Sequence, residues 1–478
     1  MTAVPAASGP ASGPSTSPPR RLRRARLGVA LLFLTNAIAY ANLVPRLPQV
    51  RVDLGLSYTQ FGLAIAMMPV GALVLGLSAG ALLRRFQSAR VGTAGMIAIA
   101  AAVVVAGLAP NGWVFAGALF FAGAFDAVAD VAQNAHGLRV QRGYGRSILN
   151  GMHGIWSIGA VAGGLMGGAA AGLGIPLSWH LLGVAVLVAV VVLVGHPMLL
   201  TGPDPRTDAA APDERTPDAP ATGAPTAEAP APDAPHHSVP NPDELTHDSS
   251  GSLADAPAVA APHVSTQHTA DPTTAHGATA RPGVAGRTWL TLVALGVIAM
   301  SGTWVEDAGA TWGASYLGDE LGAGATLAAL GFVALQLFQF VGRITGDRMV
   351  DRWGQRAVAR TGAAIGLLGM GTALALPTVP GTILGFGAAG FGVATLIPSA
   401  MAVADELPGF KHGAALTYLG WLLRASFLVS PPLVGLLADS FSIRVGLALM
   451  PVSAVMVLLL ARVLTPKALT LAAHGGAQ

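Results

Sequence analysis

Twelve apolar segments recur along this chain, each about long enough to cross the hydrocarbon core of a bilayer. They fall near 27–48, 59–83, 91–109, 113–140, 148–173 and 177–200, then near 287–317, 325–347, 357–377, 380–404, 412–437 and 443–464. Lipid offers no partner to a backbone N–H or C=O, so segments of this kind must satisfy their own hydrogen bonds as helices. Only 11% of the residues are charged, against about 25% in a soluble domain. The expected fold is an all-α membrane protein of twelve transmembrane helices, six on each side of a long polar stretch.

Basic residues set the expected orientation. Arg84, Arg85 and Arg90 follow span two, Arg139, Arg142 and Arg146 follow span four, and Arg348, Arg352, Arg356 and Arg360 follow span eight. Lys411, Arg462 and Lys467 continue the pattern. With twelve spans, all of these fall on one side, which the positive-inside rule makes cytoplasmic, together with both termini. Arg46, Arg51 and Arg444 are the exceptions. The expected division is a disordered basic tail over 1–26, a bundle over 27–200, a disordered linker over 201–286, a second bundle over 287–466 and a tail over 467–478. The linker is rich in Pro, Ala, Asp and Thr and too poor in large apolar residues to form a core. Its histidines are irregularly spaced, as in a solvated segment, and no metal site or cofactor is expected.

The two halves resemble each other. Arg84-Arg85-Phe86 parallels Asp351-Arg352-Trp353, and Gly123-Ala124-Phe125 parallels Gly390-Phe391-Gly392, each pair offset by 267 positions. Two pseudo-symmetric six-helix bundles are therefore expected, with a binding site between them near the midplane.

Ionisable residues inside the spans mark candidate functional positions, because each costs at least a few kcal/mol at bilayer depth. Asp126, Asp130 and Asn134 sit at i, i+4 and i+8 in span four and share one helical face. Glu306 and Asp307 interrupt span seven, where adjacent positions point about 100° apart, so one of the two is expected to face a cavity directly. Trp304 and Trp312 flank them and are suited either to stack a ligand ring or, for Trp312 especially, to sit at the membrane interface. Gln336, Gln339 and Arg343 form a stripe in span eight, with Arg343 and Asp347 one turn apart and expected to pair. Asn36 and Tyr40 form a weaker stripe in span one, and Asn150 and His153 share a face in span five. Arg424 lies in the middle of span eleven and requires a partner: Glu306 or Asp307 inside the protein, or an anionic or carbonyl group of a solute held by a forked hydrogen bond.

The run Gly346-Asp347-Arg348-Met349-Val350-Asp351-Arg352-Trp353-Gly354-Gln355-Arg356 resembles the cytoplasmic loop signature of the major facilitator superfamily. Arg46-Leu47-Pro48, Asp130 through Gly137, the His153 segment, Glu306 through Leu317 and Ser430-Pro431-Pro432-Leu433 are similar to the bacterial branch related to fucose:proton symporters and rhizopine-associated membrane proteins. The resemblance implies a twelve-helix transporter working by alternating access, with Asp130 in the place of a proton-carrying acid, Glu306 and His153 at matching positions, and Arg343, Asp347, Asp351 and Arg352 in a gating loop. Two departures stand out. The first-half loop carries Arg84 and Gln87 where the signature has Asp and Gly, and Val44 stands where the fucose symporters have an Asp, so sugar specificity does not carry over.

A carboxyl group withdrawn from water favours its neutral form, which suits Asp130 to carry a proton. Asp126 either shares that proton or opposes simultaneous ionisation by like-charge repulsion, unless it lies at the outer rim without a role. The function expected is proton-coupled secondary transport of a small polar organic solute, such as a sugar or cyclitol, by a monomer in the plasma membrane. Its partners are the solute, protons and lipid, not nucleic acid. A proton-driven efflux antiporter uses the same parts, and a receptor or scaffold without transport is the reading from another class. No phosphate-binding loop or nucleophile elbow points to an enzyme.

Overall fold

A computed structural model of the chain describes residues 18–145, 148–202, 286–410 and 413–464. Residues 1–17 of the N-terminal tail, nearly all of the linker and the C-terminal tail fall outside the described residues, as does the side chain of Asn150. The described chain contains twelve helical spans. Those of the first half are α1 (Arg20–Asp53), α2 (Tyr58–Gly76), α3 (Ser88–Gly107), α4 (Gly112–Tyr144), α5 (Gly151–Gly172) and α6 (Leu177–Met198). Those of the second are α7 (Gly286–Glu320), α8 (Ala325–Trp353), α9 (Gln355–Ala375), α10 (Val379–Asp405), α11 (Ala414–Ser440) and α12 (Ile443–Val463).

The first helix begins at Arg20, so the arginine run assigned to the tail forms the opening turns of α1. It then breaks at Asn42–Leu43 and continues as a short 3-10 turn and the helix Leu47–Asp53. Pro45 and Pro48 explain the break: neither has an N–H to donate, and each is tolerated in the first turn of a new segment. Ser57 starts α2 with a reciprocal capping box to Gln60, which satisfies two backbone donors at that helix end.

Internal duplication is visible in atomic detail. A side chain at Gly123 would fall on the carbonyl of Met68, and one at Gly390 on the carbonyl of Leu335, so α4 on α2 and α10 on α8 make the same backbone-to-backbone contact 267 positions apart. The turn before α3 and the turn before α9 also match. Gly354 has φ 82 and ψ 155, and Gln87 has φ 71 and ψ 149. That region is essentially reserved for glycine, and another residue there costs about 1–3 kcal/mol. Gln87→Gly is accordingly expected to raise the unfolding free energy by about 1 kcal/mol or more, read as a higher thermal midpoint; an unchanged or lower midpoint would contradict the strain.

Of the three arginines at the end away from the N-terminus, the far end, two have local structural tasks. Buried Arg46 donates to Gln49 Oε1 (3.0 Å) and to the carbonyl of Ile175 (2.9 Å). Arg444 donates to the carbonyl of Ala375 (3.2 Å). The Ala375 carbonyl ends α9 and lacks an intrahelical donor, and the Ile175 carbonyl lies in the turn after α5; these guanidinium groups supply both. Arg51 instead joins the two halves.

Candidate functional site

A cavity of about 530 Å³ lies between the halves. Its wall is built from α1, α2, α4 and α5 on one side and α7, α8 and α11 on the other. Asn36, Tyr40, Asp126, Asp130, Glu306, Asp307, Gln336 and Arg424 all reach it. Sequence reasoning marks each of these, Asn36, Tyr40, Asp126, Asp130 and Gln336 by helical stripes and Glu306, Asp307 and Arg424 as charges within spans, and the fold brings them together. Glu306 also borders a second cavity of about 1080 Å³, lined by His153, Gln339, Arg343, Asp347 and Asp351 and extending toward the end that carries the N-terminus. Both Glu306 and Asp307 contact the central cavity, so the expectation that one alone would face it is corrected. The arc of α7 that lines the cavity is wide enough to include two positions about 100° apart.

The acids differ in how they are held. Asn36 donates from Nδ2 to Asp126 Oδ1 (2.7 Å), and Trp156 Nε1 donates to Asn36 Oδ1 (2.8 Å), so one amide ties α4, α1 and α5 together. Asp126 is thereby a central residue and not a rim one. Asp130 Oδ1 accepts from Gln133 Nε2 (3.1 Å) and Asn134 Nδ2 (2.9 Å), both on its own helix. Asn134 therefore serves Asp130; it is not part of the cavity wall as described. Glu306 Oε2 accepts from Gln339 Nε2 (2.8 Å) and lies 3.6 Å from Arg343 Nη2. Asn36→Leu removes the amide that serves both Asp126 and Trp156. The expected loss is about 2 kcal/mol, the cost of leaving a partly buried polar group unmatched, read from thermal unfolding together with a shift in tryptophan emission. Unchanged stability would show that the triad carries no such load.

Three pairings and placements differ from expectation. Arg343 pairs with Glu306 and not with Asp347, because the carboxylate presented by the neighbouring α7 stands closer to its guanidinium than the one a turn away on α8. Arg424 pairs with neither Glu306 nor Asp307; its guanidinium lies over the Trp421 ring, 5.8 Å from the centroid. Trp312 is fully buried instead of interfacial, packed on Phe61 (5.8 Å) and Tyr58 (5.9 Å), and Trp304 packs into the same core and lines neither cavity. Among the gating-loop residues, Asp347 and Asp351 border the second cavity, and Arg352 lies 5.9 Å from the Trp353 ring centroid.

The far end is sealed. Arg51 Nη2 lies 3.1 Å from Asp319 Oδ2, Tyr58 donates its hydroxyl to the same oxygen (3.2 Å), and the Arg51 guanidinium stands 4.1 Å from the Tyr58 ring centre. Asp439, at the end of α11, accepts from the backbone N–H groups of Tyr58 (2.9 Å) and Thr59 (2.7 Å). A carboxylate there complements the positive end of the α2 dipole. Below it α11 and α2 touch backbone to backbone: side chains at Gly62 and Gly435 would fall on the carbonyls of Pro431 and Tyr58. Sequence reasoning singled out neither Asp439 nor Trp156, although Trp156 lies three positions after His153 and so on the same helical stripe.

The model of the Major Facilitator Superfamily matches residues 29–305 and 290–474. The chain is 27% identical over 447 residues to the uncharacterized transporter y4wD of Sinorhizobium fredii, covering 93% of this chain and 99% of that one. It is 31% identical to the membrane protein MosC of Rhizobium meliloti over 170 residues, 34% of this chain and 40% of the relative. Among solved structures it is similar to the nucleoside transporter NupG (TM-score 0.63, 12% identity, 92% of this chain and 98% of the other). It is also similar to a bacterial homolog of the human lysosomal transporter Spinster in an inward-facing, unoccupied conformation (TM-score 0.61, 12% identity, 94% and 98%). Twelve spans in two repeated halves, a polar cavity between them and the family match agree: this chain belongs to the major facilitator superfamily of membrane transporters.

Proposed function

We propose that this transporter is proton-coupled and moves a small polar organic solute, a class that includes sugars and cyclitols, across the plasma membrane by alternating access. The observation that carries the reading is a cavity between the halves with four carboxylates on its wall, sealed toward the far end by Asp319, Asp439 and Trp312. The basic loops support a cytoplasmic position for the end bearing the N-terminus, and on that reading the described conformation is inward-facing. Solute and proton enter from the far side in the other state, after the α2–α11 and Arg51–Asp319 contacts part.

Coupling requires that protonation change the relative stability of the two states. Asp130 suits this role because its partners lie on its own helix, so the carboxyl can gain or lose a proton without breaking a bond between helices. Asp126 and Glu306, each bonded across helices, suit the complementary task of linking solute and proton occupancy to helix position. The test is reconstitution in liposomes with a pH-sensitive dye inside. A solute from a panel of sugars, cyclitols and amino-bearing analogues is expected to move protons with it, and to accumulate when a pH gradient is imposed. Solute equilibration with no proton flux would refute coupling.

A further inference from the structure

Two charged groups of opposite sign stand on the central cavity wall with no ion-pair partner among the described residues. Arg424 makes no ion pair or hydrogen bond there; its only recorded contact of this kind is the Trp421 ring. Asp307 is the other. The Ser430 and Thr311 hydroxyls lie beside it, yet Asp307 Oδ2 and Ser430 Oγ are both buried without a partner in hydrogen-bonding geometry. A carboxyl oxygen whose neighbouring hydroxyls are poorly aimed is under-satisfied, and Arg424, exposed on the cavity side of α11, has its guanidinium free to meet a solute.

The remaining acids of the cavity are already matched. Asp126 is held by Asn36, Asp130 by Gln133 and Asn134, and Glu306 by Gln339 and Arg343. Among the charged groups of this wall, Asp307 Oδ2 and Arg424 are the ones with no hydrogen bond in good geometry among the described residues. They are also spaced for a ligand. Ser430, which marks the height of Asp307, lies six residues beyond Arg424 on α11, a rise of about 9 Å. This exceeds the reach of a direct ion pair, and the flexible arginine side chain shortens it to the length of a small organic molecule. The same wall also carries Ala310, Phe332 and Phe427, an apolar surface for the carbon skeleton of such a molecule.

We propose that the cavity takes a small zwitterionic solute, its carboxylate or similar anionic group held in the fork of Arg424 and its ammonium group received by Asp307. This rests on the transporter reading above and narrows its solute to one class. A simple anion meets the cavity's other carboxylates, and a simple cation leaves Arg424 unmatched; a molecule with both charges satisfies both ends.

The experiment is a binding titration on the purified full-length protein in detergent, followed by thermal shift and tryptophan emission, since Trp421 adjoins Arg424. The probes are the ω-amino acids from β-alanine through γ-aminobutyrate to ε-aminocaproate, which act as a ruler of charge separation. Butylamine and butyrate each present one charge alone, and myo-inositol presents none. One or more ω-amino acids are expected to bind about tenfold or more tighter than either single-charge analogue. Arg424→Gln is expected to reduce that ligand to the level of the amine, Asp307→Asn to the level of the carboxylate, and Arg424→Lys to retain part of the affinity. Thermal midpoints without ligand show that the variants are folded; if Asp307→Asn fails to fold, the two Arg424 variants still decide. Three results overturn the proposal: no binding anywhere in the ω-amino acid series, butylamine or myo-inositol binding as tightly as the zwitterions, or zwitterion binding that is unchanged in Arg424→Gln. Binding in detergent needs no proton gradient, so any of these leaves proton-coupled transport standing, and a transporter without proton flux leaves the zwitterion site standing.

Discussion

Asp130→Asn is expected to fold normally and to lose proton-driven accumulation while still exchanging solute across the membrane. The Asp130 carboxylate is bonded within α4 alone, to Gln133 and Asn134. An amide of the same shape removes no contact between helices, so stability should change by about 0.5 kcal/mol or less. The proton is what disappears. With one proton per solute, a gradient of one pH unit supplies about 1.4 kcal/mol, which corresponds to about tenfold accumulation. In Asp130→Asn liposomes the ratio is expected to fall to about one, with counterflow of labelled solute persisting because alternation itself needs no titrating group there. Retained accumulation would transfer the proton to Asp126 or Glu306. The matching amide substitution at Asp126 would then be informative, and its tie to Asn36 predicts a structural loss as well.

Gly435→Leu is expected to abolish transport by a different route, through denial of one of the two conformations. Position 435 on α11 faces the backbone of Tyr58, and even a Cβ there would overlap its carbonyl oxygen. Neither backbone can yield cheaply: Tyr58 opens the first turn of α2, whose amides are held by Asp439, and Pro431 and Pro432 lie one turn before Gly435. Overpacking of this kind costs about 1–3 kcal/mol or more. Where two states are within a few kcal/mol of each other, that penalty moves the balance toward the state with the far end open. The chain contains no cysteine, so a single reporter is clean. Ile65→Cys, on the cavity wall and nearly buried, is expected to react slowly with a membrane-impermeant maleimide added from the far side. In the Gly435→Leu background it should react at least several-fold faster. Wild-type transport together with an unreactive reporter would sink this account of the seal.

Much of the architecture was legible in the linear chain for simple reasons. Helix number follows from segment length, because a bilayer imposes one spanning distance. The duplication at an offset of 267 positions was visible in a few short motifs and returned as matched contacts at Gly123 and Gly390 and as matched turns at Gln87 and Gly354. Most of the cavity wall was also legible, since an acid or amide in lipid-length segments has few other places to face. The failures share a cause. Helical spacing pairs Arg343 with Asp347, and charge alone leaves Arg424 open to an internal acid or to a group of the solute. Trp312 was assigned to an interface from residue type. Each answer depended on which residue of a remote helix stood opposite.

From the chain alone came the number of helices, the duplication and the polar stripes, because these depend on periodicity and on the cost of charge in lipid, which act locally. Only the packed fold decided that Glu306 is matched by Gln339 and Arg343, that Asp439 caps a helix of the other half, and that Asp307 and Arg424 are left facing the cavity. Such pairings are set by distances of a few ångströms between segments hundreds of positions apart, and no one-dimensional pattern encodes those distances.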